Sequence, residues 1–161
     1  MQQSLFTSGI KNLIWALVLG VPLQGCEALF GKEVSRLSVN AVSTAGHDVI
    51  KEASLKLQKD DAIAVWSEMD MAYEGDAPLR FQVLILKNGA AFKQLEINPT
   101  EKNITVGELK TSIDGRINWR FSGKNGEVTV PEDATYTFKA RLIAANNPTL
   151  QVNKAELVLK K

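Results

Sequence analysis

The chain has one cysteine and one histidine in 161 residues. A lone cysteine cannot close a disulfide within the chain. Zinc sites draw on Cys and His in numbers that this sequence lacks. Nucleophilic triads of the usual kind need a histidine. The only one, His47, lies in Ser43-Thr44-Ala45-Gly46-His47-Asp48, a stretch read as a solvated loop. G-x-S-x-G, H-E-x-x-H, C-x-x-C and a phosphate-cradling glycine loop are all missing. No apolar run reaches the roughly 20 residues that a spanning helix needs. Excess charge is missing too, with 19 Lys and Arg against 18 Asp and Glu. That leaves no basic field to steer nucleic acid and no polybasic patch for anionic lipid. No internal repeat, low-complexity segment or second domain stands out, and nothing implies a cofactor or a bound metal.

What is present begins with Leu13 to Cys26, L-I-W-A-L-V-L-G-V-P-L-Q-G-C. Its apolar part, Leu13 to Leu23, is about 11 residues long and follows a single basic residue, Lys11. That length suits the apolar segment of an export signal, about 7–15 residues, rather than a membrane span. Two other readings are a buried core helix and an ordinary signal peptide. Pro22 inside the run would break a core helix, and no clean A-x-A cleavage site follows. Leu23-Gln24-Gly25-Cys26 resembles the lipobox of bacterial lipoproteins. The resemblance implies cleavage after Gly25, a diacylglyceryl group and palmitate on Cys26, and a lipid anchor in a membrane of the cell envelope, at its periplasmic face or at the cell surface. It divides the chain into a signal peptide (1–25), a lipidated cysteine with a short tether (26–33) and one soluble domain (34–161). Leu29 and Phe30 are then expected to lie against the membrane or to tuck into the domain. With Lys11 removed, 18 basic residues balance 18 acidic ones.

From Val34 onward the pattern has period two, the mark of half-buried strands. Leu37, Val39 and Ala41 alternate with polar residues, as do Ala53, Leu55 and Leu57. Ile63, Val65, Ser67, Met69, Met71 and Tyr73 point one way, and Ala62, Ala64, Trp66, Glu68, Asp70 and Ala72 the other. Leu79, Phe81, Val83 and Ile85 form another core face, and Leu84 and Leu86 partly cover its reverse. Asn88-Gly89, Asp114-Gly115 and Asn125-Gly126 each read as a hairpin turn between apolar runs. Residues 99–105 form a polar connection, and Val106 to Ile113 is extended. A phase shift at Asn153-Lys154 predicts a β-bulge or a change of sheet in the last strand.

Val130-Pro131-Glu132-Asp133-Ala134-Thr135-Tyr136-Thr137-Phe138 resembles the P-x-D-G-x-Y-x-F corner of small extracellular β-sandwich modules of Ig-like and GOLD-like type, with Ala134 where Gly is usual. The resemblance implies only a structural role for Tyr136, with its ring inward and its hydroxyl bonded to a loop. About nine strand-like runs, regular turn signals and no amphipathic helix predict an all-β domain. The expected fold is an antiparallel β-sandwich of Ig-like or jelly-roll type, and the alternative is an up-and-down barrel.

Carboxylates are the remaining reactive groups. Glu68 and Asp70 share one strand face with Trp66. With Glu74 and Asp76 they could hold calcium, or the pair could serve glycoside hydrolysis. They could equally be solvated acids paired with Lys or Arg from neighbouring strands. Trp66 could stack on a sugar or anchor a protein, or be covered by a loop or the N-terminal segment. Trp119 is expected in the core beside Ile117 and Phe121. Three classes therefore stay open. The leading one is a non-enzymatic module for a protein partner at the envelope. The others are a glycan- or calcium-binding module centred on Trp66, Glu68 and Asp70, and a carboxylate enzyme.

Overall fold

A computed structural model of the protein describes residues 30–161. The expected signal peptide and Cys26 lie outside the described residues. Nine strands and no helical element make up the described part: β1 (Glu33–Ser38), β2 (Lys51–Leu57), β3 (Ala62–Glu74), β4 (Leu79–Lys87), β5 (Ala90–Ile97), β6 (Ile104–Ile113), β7 (Arg116–Thr129), β8 (Ala134–Ala144) and β9 (Gln151–Lys160). They form two antiparallel sheets, β1-β9-β3-β7-β6 and β2-β8-β4-β5. The fold is a β-sandwich. The barrel alternative fails because each sheet ends in two edge strands and neither closes on itself.

The period-two pattern produces this architecture directly. Ile63, Phe81, Ile85, Val130, Tyr136 and Leu142 are fully enclosed between the sheets. Each such side chain contributes about 1.5–3 kcal/mol on burial. Asn88 and Gly89 both take positive φ, as do Asp114 and Gly115, so these pairs form the expected hairpin turns β4–β5 and β6–β7. The Tyr136 ring is buried and its hydroxyl donates to the Glu132 carbonyl at 3.1 Å. The phase shift in β9 is a bulge: Asp70 faces Lys154 and Met71 faces Val152, which leaves Asn153 as the extra residue.

Asn125-Gly126 is not a turn. Strand β7 runs through it, and Val65 faces Gly126 while Trp66 faces Lys124. Asn125 is the extra residue of a bulge. Its amide nitrogen donates to the carbonyls of Asn98, Pro99 and Glu101 at 3.2, 3.4 and 2.9 Å. An Asn-Gly pair suits a bulge for the same reason that it suits a turn, since both need local backbone freedom and a short polar side chain. Here tertiary pairing with β3 decides between them.

The connection 98–103 packs onto β7. The Lys102 side chain crosses Gly123, where a Cβ would stand 2.6 Å from its Cδ and 2.7 Å from the Ile104 carbonyl. The Lys102 ammonium ends 4.0 Å from the Phe121 ring centre and 3.2 Å from Glu108. Of the described residues in the expected tether, Lys32 and Glu33 join the sheet. Lys32 and Lys161 exchange backbone hydrogen bonds of 2.8 and 2.9 Å, and β1 begins at Glu33.

The bulge assignment is testable by paired substitutions. Asn125→Ala removes the donor that pins the 98–101 carbonyls and should cost about 1–3 kcal/mol. Gly126→Ala should be nearly neutral, because its φ is not positive and nothing stands within 4 Å of the added Cβ. Urea unfolding of both variants measures this; a large loss for Gly126→Ala would return the segment to a turn.

Candidate functional site

The sequence-derived candidates lie on the outer face of the five-stranded sheet, where β3 is flanked by β9 and β7. Their neighbours follow from register. Glu68 faces Glu156 on β9 and Ser122 on β7, and Asp70 faces Lys154 and Arg120. Two carboxylates directly opposite repel unless cations sit between them. Arg36 and Lys154 do so. Arg36 donates to both Glu68 oxygens, at 2.8 and 3.3 Å, and to Glu156 and Glu33. Lys154 reaches Glu68 at 2.6 Å and Glu156 at 3.3 Å. The Ser38 hydroxyl donates to Glu156 at 2.7 Å.

This network sets the ionisation of its members. Hydrogen bonds from Arg36, aided by Lys154, outweigh burial and hold the Glu68 carboxyl at about 2, against an ordinary 4.5. Burial pushes Glu156 up, but Ser38, Arg36 and Lys154 together carry it below the carboxylate range. Hydrogen bonds to Glu33, then to Glu68 and Glu156, hold Arg36 protonated, and Glu68, then Glu156, do the same for Lys154, so both pKa values are raised. Asp70 is engaged as well, with Arg120 at 3.1 Å and the Asn153 amide at 3.2 Å. The bulge at Asn153 supplies that second contact.

Trp66 shares the outer face but is only 1% exposed. Phe30 meets its ring edge-on, with centroids 5.7 Å apart at 83°, and the Lys160 ammonium lies 4.2 Å from the ring centre. The N-terminal segment therefore covers the indole, and no open stacking platform is formed. Its Nε1 has no hydrogen-bond partner among the described residues, a cost of about 1–3 kcal/mol. Trp66 belongs to a small apolar cluster outside the main core, with Phe30 and the buried Val158 that faces it across β3 and β9.

Glu74 and Asp76 do not join Glu68 and Asp70. They sit at the exposed β3–β4 connection, where the Asn147 amide binds their backbone carbonyls at 3.0 and 2.9 Å. Among the described residues no group of three or more His, Cys, Asp or Glu side chains is placed to hold a metal ion. His47 is exposed in its loop. Trp119 is half-buried against the core, and its Nε1 donates to Glu108 at 2.7 Å while Lys110 stands 4.0 Å from its ring.

Two shallow grooves of about 680 and 350 Å³ adjoin on this outer face and share Glu68, Val106 and Ser122. Their far wall is β6, which alternation alone had not singled out. All ten of its residues are exposed, including Leu109 at 61% and Ile113 at 67%. A bulge at Val106-Gly107, with Gly107 at φ 72°, resets its alternation. Val106 and Leu109 consequently line the same side although three residues separate them.

Among the described residues, no helix is long and apolar enough to cross a membrane. No family model and no curated protein matches the chain. Solved structures offer distant likenesses. A β-glucosidase from Paenibacillus barengoltzii matches 76% of this chain at 15% identity with a TM-score of 0.30, and 10% of that enzyme is covered. The VP2 subviral particle of infectious bursal disease virus matches 80% of it at 10% identity with a TM-score of 0.33, covering 30% of that chain. The chain thus spans less than a third of the length of either protein.

Glu68 gives a signed prediction. Its lowered pKa contributes stability above the ordinary carboxylate value, and this is lost as pH falls from 4.5 towards 2. Glu68→Gln should therefore be about 2 kcal/mol less stable near neutral pH. Denaturant melts across an acid series should show the two proteins converging near pH 2. A constant gap down to that pH would refute the charge assignment.

Proposed function

We propose that the chain is a bacterial lipoprotein, held to a membrane of the cell envelope through Cys26, whose sandwich is a non-enzymatic binding module for a protein partner there. The lipobox-like Leu23-Gln24-Gly25-Cys26 supports the anchor, and two or more acyl chains on one cysteine make membrane attachment stable. Strand β6 carries the binding half of the reading. It is an edge strand, exposed along its whole length, with Ile104, Val106, Leu109 and Ile113 left in water. A bare strand edge offers unpaired N–H and C=O groups to another chain, and natural sheets usually protect it. An apolar row beside such an edge adds area for a partner to cover.

The glycan or calcium alternative has less support. Glu68 and Asp70 already have cationic partners, and Trp66, packed against Phe30 and 1% exposed, offers no open ring face for a sugar. Carboxylate catalysis would need two facing acids in a deep pocket, whereas these acids line shallow grooves.

Both halves are open to test in cells. Cys26→Ala should abolish palmitate labelling and release the protein from membranes; continued labelling would refute the anchor. A photo-crosslinking residue at Leu109 should give a discrete protein adduct, and one at the exposed loop residue His47 should not. Equal yields at the two positions would count against β6 as the binding edge.

A further inference from the structure

We infer that β6 pairs with β6 of a second copy of this chain, antiparallel about a two-fold axis at Leu109, joining two five-stranded sheets into one of ten strands. This rests on the binding reading above and names its partner. Backbone parity and charge carry it.

Strands β6 and β7 are joined by a two-residue turn, Asp114-Gly115, with φ values of 49° and 84°, and Ile113 faces Arg116 across it. In such a turn the closing pair is hydrogen-bonded, and bonded pairs then alternate along the ladder. Ile113, Thr111 and Leu109 therefore turn their peptide groups towards β7. Ser112, Lys110 and Glu108 turn theirs to the open edge. An antiparallel copy has to set outward-facing residues opposite one another. Around the strand centre this allows Glu108 opposite Glu108, Lys110 opposite Lys110, Glu108 opposite Lys110 or, one step further along, Lys110 opposite Ser112, which makes no charge pair. The first two place like charges directly across the ladder, which destabilises a pair, and the third makes two opposite-charge pairs related by the two-fold. Only the third sets Leu109 against its own copy.

The surrounding groups fit that register. Glu108 lies opposite Phe121 and Lys110 opposite Trp119, so their side chains share the inner side of the sheet. Trp119 and Lys102 both engage Oε1 of Glu108, which leaves Oε2 for Lys110 of the second copy. Leu109 projects on the opposite side, into the same groove as Val106 and Arg120. Pairing would set the 61% exposed Leu109 side chain against its copy, covering part of it, and would satisfy the open edge in both copies. The contact is isologous, so it closes at two copies and does not propagate through this edge.

The test uses the full chain in detergent with Cys26→Ser, so that the native thiol does not interfere. In the proposed register the two Leu109 residues form a non-hydrogen-bonded pair with Cα atoms about 4.5 Å apart, within disulfide reach. Mild oxidation of Leu109→Cys should give a covalent dimer as the main product. Thr111→Cys lies four positions out of register with its own copy and should stay monomeric. In sedimentation, Lys110→Glu should lose the dimer by creating like-charge pairs, and Glu108→Lys with Lys110→Glu should regain it. The Leu109→Cys oxidation keeps Glu108 and its contacts with Trp119 and Lys102, so it decides the pairing if Glu108→Lys unfolds the β6–β7 hairpin. A parent protein that sediments as a monomer, equal oxidation at 109 and 111, or no recovery in a double variant whose circular dichroism matches the parent would each overturn the pairing. A monomer that still crosslinks to a different protein through Leu109 would overturn self-pairing and leave the binding module standing.

Discussion

The structure turns on the position of β3. It is hydrogen-bonded to β9 on one side and β7 on the other over most of its 13 residues. A strand so placed must satisfy both faces. The inner face does so with Ile63, Val65, Met69 and Met71. The outer face carries Glu68 and Asp70, and register sets Glu68 opposite another acid, Glu156. Like charges across a ladder are tolerable only with cations between them. Arg36 from β1 and Lys154 from β9 meet that requirement, so the network joins three strands that the chain brings together from its beginning, middle and end. Charged pairs of this partly buried kind fix which strands are neighbours more than they add net stability.

The same constraint explains the two bulges beside β3. Each adds one residue to a neighbouring strand, and each extra residue carries an asparagine side chain that does local work. Asn125 gathers three carbonyls of the β5–β6 connection. Asn153 reaches Asp70. Bulges also increase local twist, which lets long strands follow one another around a curved core.

Much of this was legible in the sequence, and the reasons are specific. Alternation in Ile63 to Tyr73 and in Leu79 to Ile85 located core strands, because burial of one face is a local property of residue order. The turns at Asn88-Gly89 and Asp114-Gly115, the buried Tyr136 with its bonded hydroxyl, and the irregularity at Asn153 were likewise readable from short stretches. What failed depended on contacts distant in sequence. Asn125-Gly126 has turn chemistry, but pairing with β3 keeps the strand going. Trp66 was correctly assigned to the outer face, and its cover by the N-terminal segment was one of the readings; the sequence left the choice open because it depends on Phe30, 36 positions earlier. Glu68 gave no hint of Arg36, because cross-strand partners follow from strand order, which period-two patterns do not encode. Lys102 read as part of a polar connection, and only the missing Cβ of Gly123 opens the path along which its stem lies.

Strand β6 is where the physics of the sheet and the question of function meet. The inner side of β6–β7 is dressed by Lys102, Lys110 and Glu108 around two aromatic rings, so that end of the sandwich is closed by charged side chains with apolar stems rather than by a facing strand. The outer side keeps four large apolar residues in water, and the edge keeps its backbone groups unpaired among the described residues. Of the six exposed large apolar side chains among the described residues, four lie on this strand, so the cost of exposure is concentrated there. In the proposed pairing, the apolar row, the bulge that brings Val106 and Leu109 to one side, and the single Glu-Lys pair at the centre of the edge would select a strand of fixed direction and register. Such features would restrict a pairing strand more tightly than area does, since a one-residue slip would both reverse the side-chain faces and break the backbone parity.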